Sequence, residues 1–342
     1  MSCGPTARVA IAPAASPTLG HRRVLSTRPP TRSTRASSAP RDAFPAPAAE
    51  PEAIALREHL RDSVDLWSTS GRWRLPGGGA EHGVPPRFTL SYMAMRNRAE
   101  VPRLIMEEAR CPYVFEVIGF TTWREDVKPS WIPEFRGNFG KLPVLTVHDE
   151  SLTLGGPPVE VGQETAITRL LARACGLAGD DPLTEARLDA LYTFYFCTLR
   201  NDGVTHEGQN YAAGALRDAA ASGKTLTRDE APSYRSMPRV NDFSVAERSL
   251  AALGAFEEQL ERSTTGFLAD QPGPSYVDMA LLCELLELAE PDHVPDFAER
   301  FRLPRLGAFA EEMQQRPGVA AYLASPRRVP RYDRPGYTYK GL

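Results

Sequence analysis

Along this chain apolar residues recur either at every second position or at every third or fourth position. The first pattern predicts strands and the second predicts helices. From Arg87 onward the run RFTLSY alternates polar and apolar residues, which is typical of a strand. The next run, RAEVPRLIMEEA, places Val101, Leu104 and Ile105 on one face of a helix. Further strands are predicted at YVFEVI and LPVLTVH, a short one at VEV, and a second helix at ETAITRLLARACG.

These segments follow the order β-α-β and then β-β-α, and the segments after them are helical. The predicted fold class is therefore an α/β thioredoxin-like N-terminal domain followed by an all-α helical C-terminal domain. The helix EARLDALYTFYFCTLR is apolar around much of its circumference, so we expect it to be buried on more than one side. The polar stretch NYAAGALRDAAASGKTLTRDEAPSYRSMPRVN shows no pattern from which we can predict a helix or a strand.

The same patterns divide the chain into five parts. In order, these are a leader, a short helix with a Gly/Pro-rich linker, the thioredoxin-like domain, the helical domain and an irregular tail, at residues 1–50, 51–85, 86–180, 181–330 and 331–342. The short helix, IALREHLRDSVDLW, is amphipathic and either docks on the main body or extends alone. The linker is RLPGGGAEHGVPP, which ends near Pro86.

Composition and charge disfavour some classes of function and predict a targeting segment. A chain of 342 residues with 42% hydrophobic and 24% charged residues fits a soluble globular protein, and a net charge of −3 gives no sign of nucleic-acid binding. No run of about 18 apolar residues predicts a membrane span. Residues 1–50 contain seven arginines, no lysine and two acidic residues, which is typical of a transit peptide. A plastid is the first expectation, then a mitochondrion and then the cytoplasm; a merely disordered tail is the alternative.

The cysteines indicate a reducing compartment. There are five of them, widely spaced and without a C-x-x-C pair. An odd number without paired spacing argues against a disulfide framework and against a zinc site.

Tyr92 lies where thioredoxin-like redox proteins usually carry a cysteine, at the end of the first predicted strand, in SYMAMRNR. A phenol donates a hydrogen bond at neutral pH, and a donor aimed at a sulfur favours thiolate over thiol. Tyrosine in this place indicates a protein that activates the thiol of a ligand. The lack of a cysteine at this position disfavours thiol oxidoreductase chemistry. The alternative role of Tyr92 is packing.

Four ordered motifs from about Pro86 to Pro330 resemble those of cytosolic-type glutathione transferases. The motifs are LSYMAMRNRAEVPRLI, NFGKLPVLTV, VGQETAITRLLARACGLAG and a helix-capping motif at Ser275-x-x-Asp278. The resemblance is nearest to the sigma class, which includes glutathione-dependent prostaglandin D synthases. It implies glutathione as co-substrate, a small hydrophobic electrophile as second substrate, no metal, and a homodimer.

The resemblance also implies roles for individual residues. Tyr92 would hold the glutathione sulfur with Arg98 beside it, while Trp123 and Lys141 would contact the glycyl end. The alternatives are a turn cap for Arg98, packing for Trp123 and a solvated charge for Lys141.

The remaining implied contacts surround a cis-proline and a helix N-terminus. Pro143 would be the cis-proline that turns the backbone of Leu142 toward the cysteinyl unit as an added strand. Gln163 would stand where a helix N-terminus receives the γ-glutamyl carboxylate. Glu164 replaces the serine of the family pattern, and its carboxylate would repel that of the ligand.

Two interpretations of function remain open. The first is a glutathione transferase or glutathione-dependent isomerase in which Tyr92 stabilises the thiolate. The alternative is a non-catalytic, transferase-like binding or interaction module with a degraded glutathione site. Glu164 favours the alternative, as does the lack of acidic residues near Phe196 and Cys197, where sigma-like enzymes place them. Asn97 in place of a usual glycine would narrow the site or take a left-handed backbone.

Overall fold

A five-stranded mixed sheet forms the centre of the first domain. The computed structural model describes residues 51–63, 65–137, 140–200, 211–237, 239, 242–333 and 338–340. The strands are β1 Arg72–Gly77, β2 Phe88–Met93, β3 Tyr113–Ile118, β4 Val144–Val147 and β5 Val159–Gly162. Their order across the sheet is β1-β3-β2-β4-β5. Strands β2 and β3 are parallel, and every other neighbouring pair is antiparallel.

Six helices accompany this sheet, of which the first, second and sixth were predicted. They are α1 Pro51–Asp62, α2 Asn97–Glu108, α3 Phe120–Thr122, α4 Lys128–Trp131, α5 Glu150–Thr153 and α6 Glu164–Ala174. A π-helical turn, Trp123–Val127, joins α3 to α4. Helix α2 connects the parallel strands β2 and β3, and β4, β5 and α6 follow as a hairpin and a closing helix. This is the predicted thioredoxin-like domain.

The second domain is helical, as predicted. Its helices are α7 Pro182–Tyr195, α8 Tyr211–Ala221, α9 Val245–Arg262, α10 Tyr276–Leu288, α11 Phe297–Arg300, α12 Pro304–Gln314 and α13 Pro317–Ala324. A π-helical turn, Phe196–Arg200, extends α7. Ser275 and Asp278 form the capping box that starts α10, and the Ser275 N–H donates to Asp278 Oδ2 at 2.7 Å. The fold class is confirmed.

The linker prediction, which begins at Arg74, is wrong for its first four residues, because residues 72–77 are a strand. They form β1, which pairs antiparallel with β3 from Arg72 opposite Ile118 to Gly77 opposite Tyr113. Strand β1 lies at the edge of the sheet, where Pro76 is tolerated because an edge strand leaves half of its N–H groups unpaired. The preceding helix α1 docks on the body, burying Ala53, Leu56 and Leu60.

Three further expectations change. The unassigned polar stretch contains α8, whose Ala212, Ala213 and Leu216 are buried. The tail is not wholly irregular, because β6 Arg331–Asp333 pairs with β7 Thr338–Lys340. Within this chain α7 is buried along one face only, through residues three or four apart: Leu188, Tyr192 and Tyr195.

Helix α2 carries charged side chains that are buried against the C-terminal segment. Glu100, 1% exposed, accepts hydrogen bonds from the Tyr322 hydroxyl at 2.8 Å and from Arg328 Nε at 2.9 Å. The guanidinium of Arg103, fully buried, stacks 4.7 Å from the Tyr322 ring centroid. Burial opposes ionisation of Glu100, but the charges of Arg328 and Arg103 outweigh it and lower its pKa. We call these four residues the tail network.

The leader, residues 1–50, lies outside the described residues, so the transit peptide stays a prediction. Among the residues that the structure describes, no helix has the length and apolarity needed to cross a membrane.

Candidate functional site

Three of the predicted site residues fall in one row at the end of the sheet. In the β2–β4 ladder Ser91 lies opposite Val144, and in the β4–β5 ladder Val144 lies opposite Gly162. Extending both ladders by one position sets Pro143 beside Tyr92 and Gln163 beside Pro143. Neighbouring positions in such a row are about 5 Å apart. The C-terminal end of β2, the proline and the start of α6 therefore lie at the same end of the sheet.

Tyr92 points to the side of the sheet that faces the main core. It shares this face with Phe88 and Leu90, because side chains two positions apart in a strand lie on the same face. All three belong to the core cluster that also contains residues of the helical domain. Tyr92 is 5% exposed. The phenol thus lies at the strand end, on the side where the two domains meet.

The bond between Leu142 and Pro143 is cis, as predicted. Pro143 is buried, Leu142 is half-buried, and Lys141 is exposed. Leu142 lies two residues before β4, so its backbone lies beyond the end of the paired ladder rather than within it. The positions of Lys141 and Leu142 are compatible with the predicted contacts, which stay predictions.

Gln163 stands at the N-cap of α6 with an unusual backbone. Its φ is 74° and its ψ is 121°, a region that residues other than glycine rarely occupy. Its side chain is exposed and makes no capping hydrogen bond with the helix. Strained backbone of this kind is concentrated at binding and catalytic sites. The first turn of α6, with its backbone N–H groups, begins at the next residue.

Glu164, the first residue of α6, is held between two arginines. Its Oε2 accepts a hydrogen bond from Arg98 Nη1 at 3.2 Å, and its Oε1 accepts one from Arg200 Nε at 3.0 Å. Glu164 is 3% and Arg200 2% exposed. Burial opposes the charge of Arg200, but the Glu164 carboxylate more than offsets this and raises the pKa of Arg200. We call Arg98, Glu164 and Arg200 the site cluster.

The site cluster changes the electrostatic argument about Glu164. A single carboxylate facing two guanidinium groups leaves the cluster with a net positive charge. A ligand carboxylate that approaches it therefore does not meet an unpaired negative charge. Arg98 contacts Glu164, and its expected place beside the glutathione sulfur stays a prediction.

The turn that starts α2 is fixed to the helical domain. Asn97 has a φ of 33°, the left-handed backbone that was one of its two expected roles, and its Oδ1 accepts a hydrogen bond from Arg200 Nη2 at 2.7 Å. Arg96 is ion-paired with Glu290 and donates to the Val329 carbonyl at 2.9 Å. The arginine-rich turn therefore joins the two domains directly beside Tyr92.

Trp123 lies in a separate aromatic cluster. It is 5% exposed and packs edge-on against Trp131, with ring centroids 5.5 Å apart. Ile118, Val127 and Val144 complete this cluster. Its surroundings favour the packing interpretation over contact with a glycyl group.

Sequence reasoning missed Arg200. The sequence instead indicated Phe196 and Cys197, which lie on the same π-helical turn. Phe196 is half-buried and Cys197 is exposed. The signal available was an arginine four residues after Phe196, at the end of a helix whose last turns are otherwise uncharged. Its partner is 36 residues away, so only the fold connects them.

Comparisons with known proteins bear on the family. Residues 239–326 match the family model "Glutathione S-transferase, C-terminal domain". Hematopoietic prostaglandin D synthase of Gallus gallus is 35% identical over 106 residues, which cover 31% of this chain and 45% of that protein. Glutathione S-transferase P of Pongo abelii is 26% identical over 250 residues, covering 71% of this chain and 95% of that protein.

A solved monomeric glutathione S-transferase of the hookworm Necator americanus is 22% identical, with a TM-score of 0.47, over 69% of this chain and 96% of that one. The match to the Gallus gallus protein spans less than half of that protein's length. Residues 239–326 are therefore similar to the C-terminal domain of glutathione S-transferases, and the chain as a whole is similar to the Pongo abelii transferase over 71% of its length.

Proposed function

We propose that the protein is a glutathione transferase or glutathione-dependent isomerase. The observation that carries the proposal is the row formed by Tyr92, Pro143 and Gln163 at one end of the sheet. Tyr92 provides a phenol that can donate a hydrogen bond, and the backbone before Pro143 lies beyond the last recorded pair of the β2–β4 ladder. Gln163 marks the N-terminus of α6. A tripeptide with a thiol in its centre and a carboxylate at each end has groups that match all three.

In this proposal Tyr92 donates a hydrogen bond to the glutathione sulfur. Donation to the ionised sulfur is stronger than to the neutral thiol, so the bound thiol loses its proton more readily. The thiolate then attacks an electrophile that is held against the helical domain. The γ-glutamyl carboxylate lies at the start of α6, where the helix N-terminus and the positive charge of the site cluster both attract it. Binding of both reactants at one place supplies the proximity.

The Tyr92→Phe variant tests this role. A charge-assisted hydrogen bond is worth about 1.5–3 kcal/mol, so its loss raises the pKa of bound glutathione by about 1–2 units. We expect turnover with a model electrophile at neutral pH to fall about 10- to 100-fold, with glutathione affinity within about threefold of the original. Calorimetry measures the affinity, and the pH profile of turnover measures the thiol pKa. An unchanged pH profile contradicts the role given to Tyr92.

A non-catalytic binding module is the second candidate, and one observation favours it. The Glu164 carboxylate accepts hydrogen bonds from both arginines of the site cluster, which is what a ligand carboxylate would do in the same place. In this candidate the protein's own side chain stands in for the γ-glutamyl carboxylate. Wild-type protein would then not bind glutathione in calorimetry.

We also propose that the chain forms a homodimer and is delivered to a plastid. The family resemblance supports the dimer, and the arginine-rich composition of residues 1–50 supports the delivery. Sedimentation equilibrium tests the first, with a monomer as the contrary outcome. Import of the full chain into isolated plastids tests the second, and a chain left outside contradicts it.

A further inference from the structure

A distant part of the chain caps the start of the helical segment 120–131. This segment comprises α3, the π-helical turn and α4, and we call it the α3–α4 segment. Its N-cap residue, Gly119, has no side chain to accept a hydrogen bond from the first N–H groups. Thr69, which lies three residues before β1, supplies both acceptors instead. Phe120 N–H donates to Thr69 Oγ1 at 3.0 Å, and Thr121 N–H donates to the Thr69 carbonyl at 2.8 Å.

The two stretches of backbone are fitted closely to each other. Gly119 N–H donates to the Gly71 carbonyl at 2.9 Å, and Gly71 N–H donates to Thr122 Oγ1 at 2.8 Å. A Cβ atom at Gly119 would lie 2.6 Å from Ser70 Cα, so only glycine lets the two backbones approach this closely. The stretch before β1 is therefore part of the packed body, and the residue at the end of β3 is adapted to it.

The Thr69 hydroxyl is held in the direction that this cap requires. Thr69 is fully buried, and its hydroxyl donates to the Leu66 carbonyl at 2.7 Å. Because a hydroxyl has one proton, its oxygen is left to accept the hydrogen bond from Phe120 N–H. A side chain of the same shape without the hydroxyl would leave this N–H without its acceptor.

The α3–α4 segment supports the backbone that is predicted to pair with the ligand. Trp123 and Trp131 of this segment belong to the aromatic cluster that also contains Val144 of β4. Leu142, which precedes the cis-proline, packs against this cluster. A shift of the α3–α4 segment would therefore displace the backbone of Leu142. In this arrangement Trp123 acts by packing beneath the site and not by contact with the ligand.

We propose that Thr69 is a positioning residue for the glutathione site. It holds the start of the α3–α4 segment, the segment holds the aromatic cluster, and the cluster holds the backbone of Leu142 where the cysteinyl unit of glutathione pairs with it. This role rests on the proposed function, which it extends to a residue before β1. Since Thr69 is fully buried, it acts through Leu142 and not by contact with a substrate.

The variants Thr69→Val and Thr69→Ser test this role in the full chain. Valine has the shape of threonine without the hydroxyl, whereas serine keeps the hydroxyl. In Thr69→Val we expect the KM for glutathione to rise about fivefold, the equivalent of one lost hydrogen bond, with kcat unchanged. The pH profile of turnover should also stay unchanged, because Tyr92 is intact. Thr69→Ser should keep the KM of the wild type.

A matched control removes the cap of a helix in the other domain. Ser244 starts α9 with a capping box, and Glu247 N–H donates to Ser244 Oγ at 3.3 Å. Ser244→Ala and Thr69→Val should both lower the midpoint of thermal unfolding by about 2–4 °C, but only Thr69→Val should raise the KM. An unchanged KM in Thr69→Val, or an equal rise in Ser244→Ala, overturns the role of Thr69 alone. A wild-type chain that does not bind glutathione overturns the proposed function, and this role with it.

Hydrogen exchange of the wild-type chain gives a second test that needs no variant. Coupling between two sites is reciprocal, so a ligand that pairs with Leu142 should in turn stabilise the start of the α3–α4 segment. We expect saturating glutathione to slow the exchange of the Phe120 and Thr121 amides about fivefold or more. Exchange at these amides that does not change with glutathione overturns the role of Thr69, even if Thr69→Val fails to fold.

Discussion

The site cluster and the tail network both pair buried charges across the two domains, yet their surroundings differ. In the tail network Glu100 is 1% and Arg103 0% exposed, and a tyrosine hydroxyl completes the hydrogen bonding of the carboxylate. In the site cluster the Arg98 side chain is 20% exposed, and the carboxylate lies at the first residue of a helix, beside strained backbone. The most exposed side chain of the tail network, Arg328, is 14% exposed, so the clearer difference is that the site cluster lies at the strained start of α6.

This difference separates a structural role from a binding role. Buried ion pairs gain little stability over apolar packing, but losing one partner leaves a charge without compensation. In the tail network only protein atoms can supply a partner. In the site cluster a ligand with a carboxylate can supply one. A substitution in either group should therefore lower the stability of the protein. Glutathione should restore part of the stability lost in the site cluster and none of that lost in the tail network.

The largest expected effect is that of Glu100→Leu. Removing the carboxylate leaves Arg103 and Arg328 without their partner, and we expect the free energy of unfolding to fall by about 3–5 kcal/mol. Urea denaturation followed by circular dichroism measures it. The control is Glu125→Gln, which breaks a surface pair with Arg124 whose side chains are 57% and 58% exposed, and should cost less than about 0.5 kcal/mol. Glutathione should not restore the stability of Glu100→Leu. A restoration would show that the two groups are not independent.

The next effect is that of Glu164→Ser, which should cost about 3 kcal/mol because Arg200 loses its carboxylate. Here glutathione should recover part of the loss by placing its γ-glutamyl carboxylate between Arg98 and Arg200. Thermal melts with glutathione and with cysteinylglycine, which lacks the γ-glutamyl group, measure the recovery. Equal shifts with both peptides would mean that the site cluster does not hold the γ-glutamyl end. Binding of glutathione to wild-type protein distinguishes the transferase from the non-catalytic module.

The contrast also shows what the sequence can and cannot predict. Strands β2 to β5 and the capping box at Ser275 are predictable, since each depends on a local pattern of residues, whereas the cis bond before Pro143 is implied by the family resemblance. Strand β1 was missed because its Pro76 and Gly77 are typical of a linker, and only pairing with β3 makes it a strand. A strand recruited by a distant partner has no local signal of its own.

The electrostatics of the site were harder to predict for the same reason. Glu164 by itself predicts repulsion of a ligand carboxylate, and the structure reverses this by bringing Arg200 from 36 residues away. Residues that interact across the packing of α2, α6 and α7 are coupled by the fold and not by their separation in the chain.

The smallest effect tests whether the backbone at the start of α6 is strained. At Gln163 the backbone has a φ of 74°, which costs about 1 kcal/mol or more for a residue with a Cβ atom. Gln163→Gly should remove this cost, whereas Gln163→Ala removes the same side-chain amide and keeps the strain. We expect the glycine variant to be more stable than the alanine variant by about 1 kcal/mol in urea denaturation. It should also bind glutathione less tightly than the alanine variant, because a relaxed backbone no longer holds the start of α6 in place for the ligand. If the alanine variant is as stable as the glycine variant, the backbone at Gln163 is not strained, and the two groups of charges differ only in their exposure.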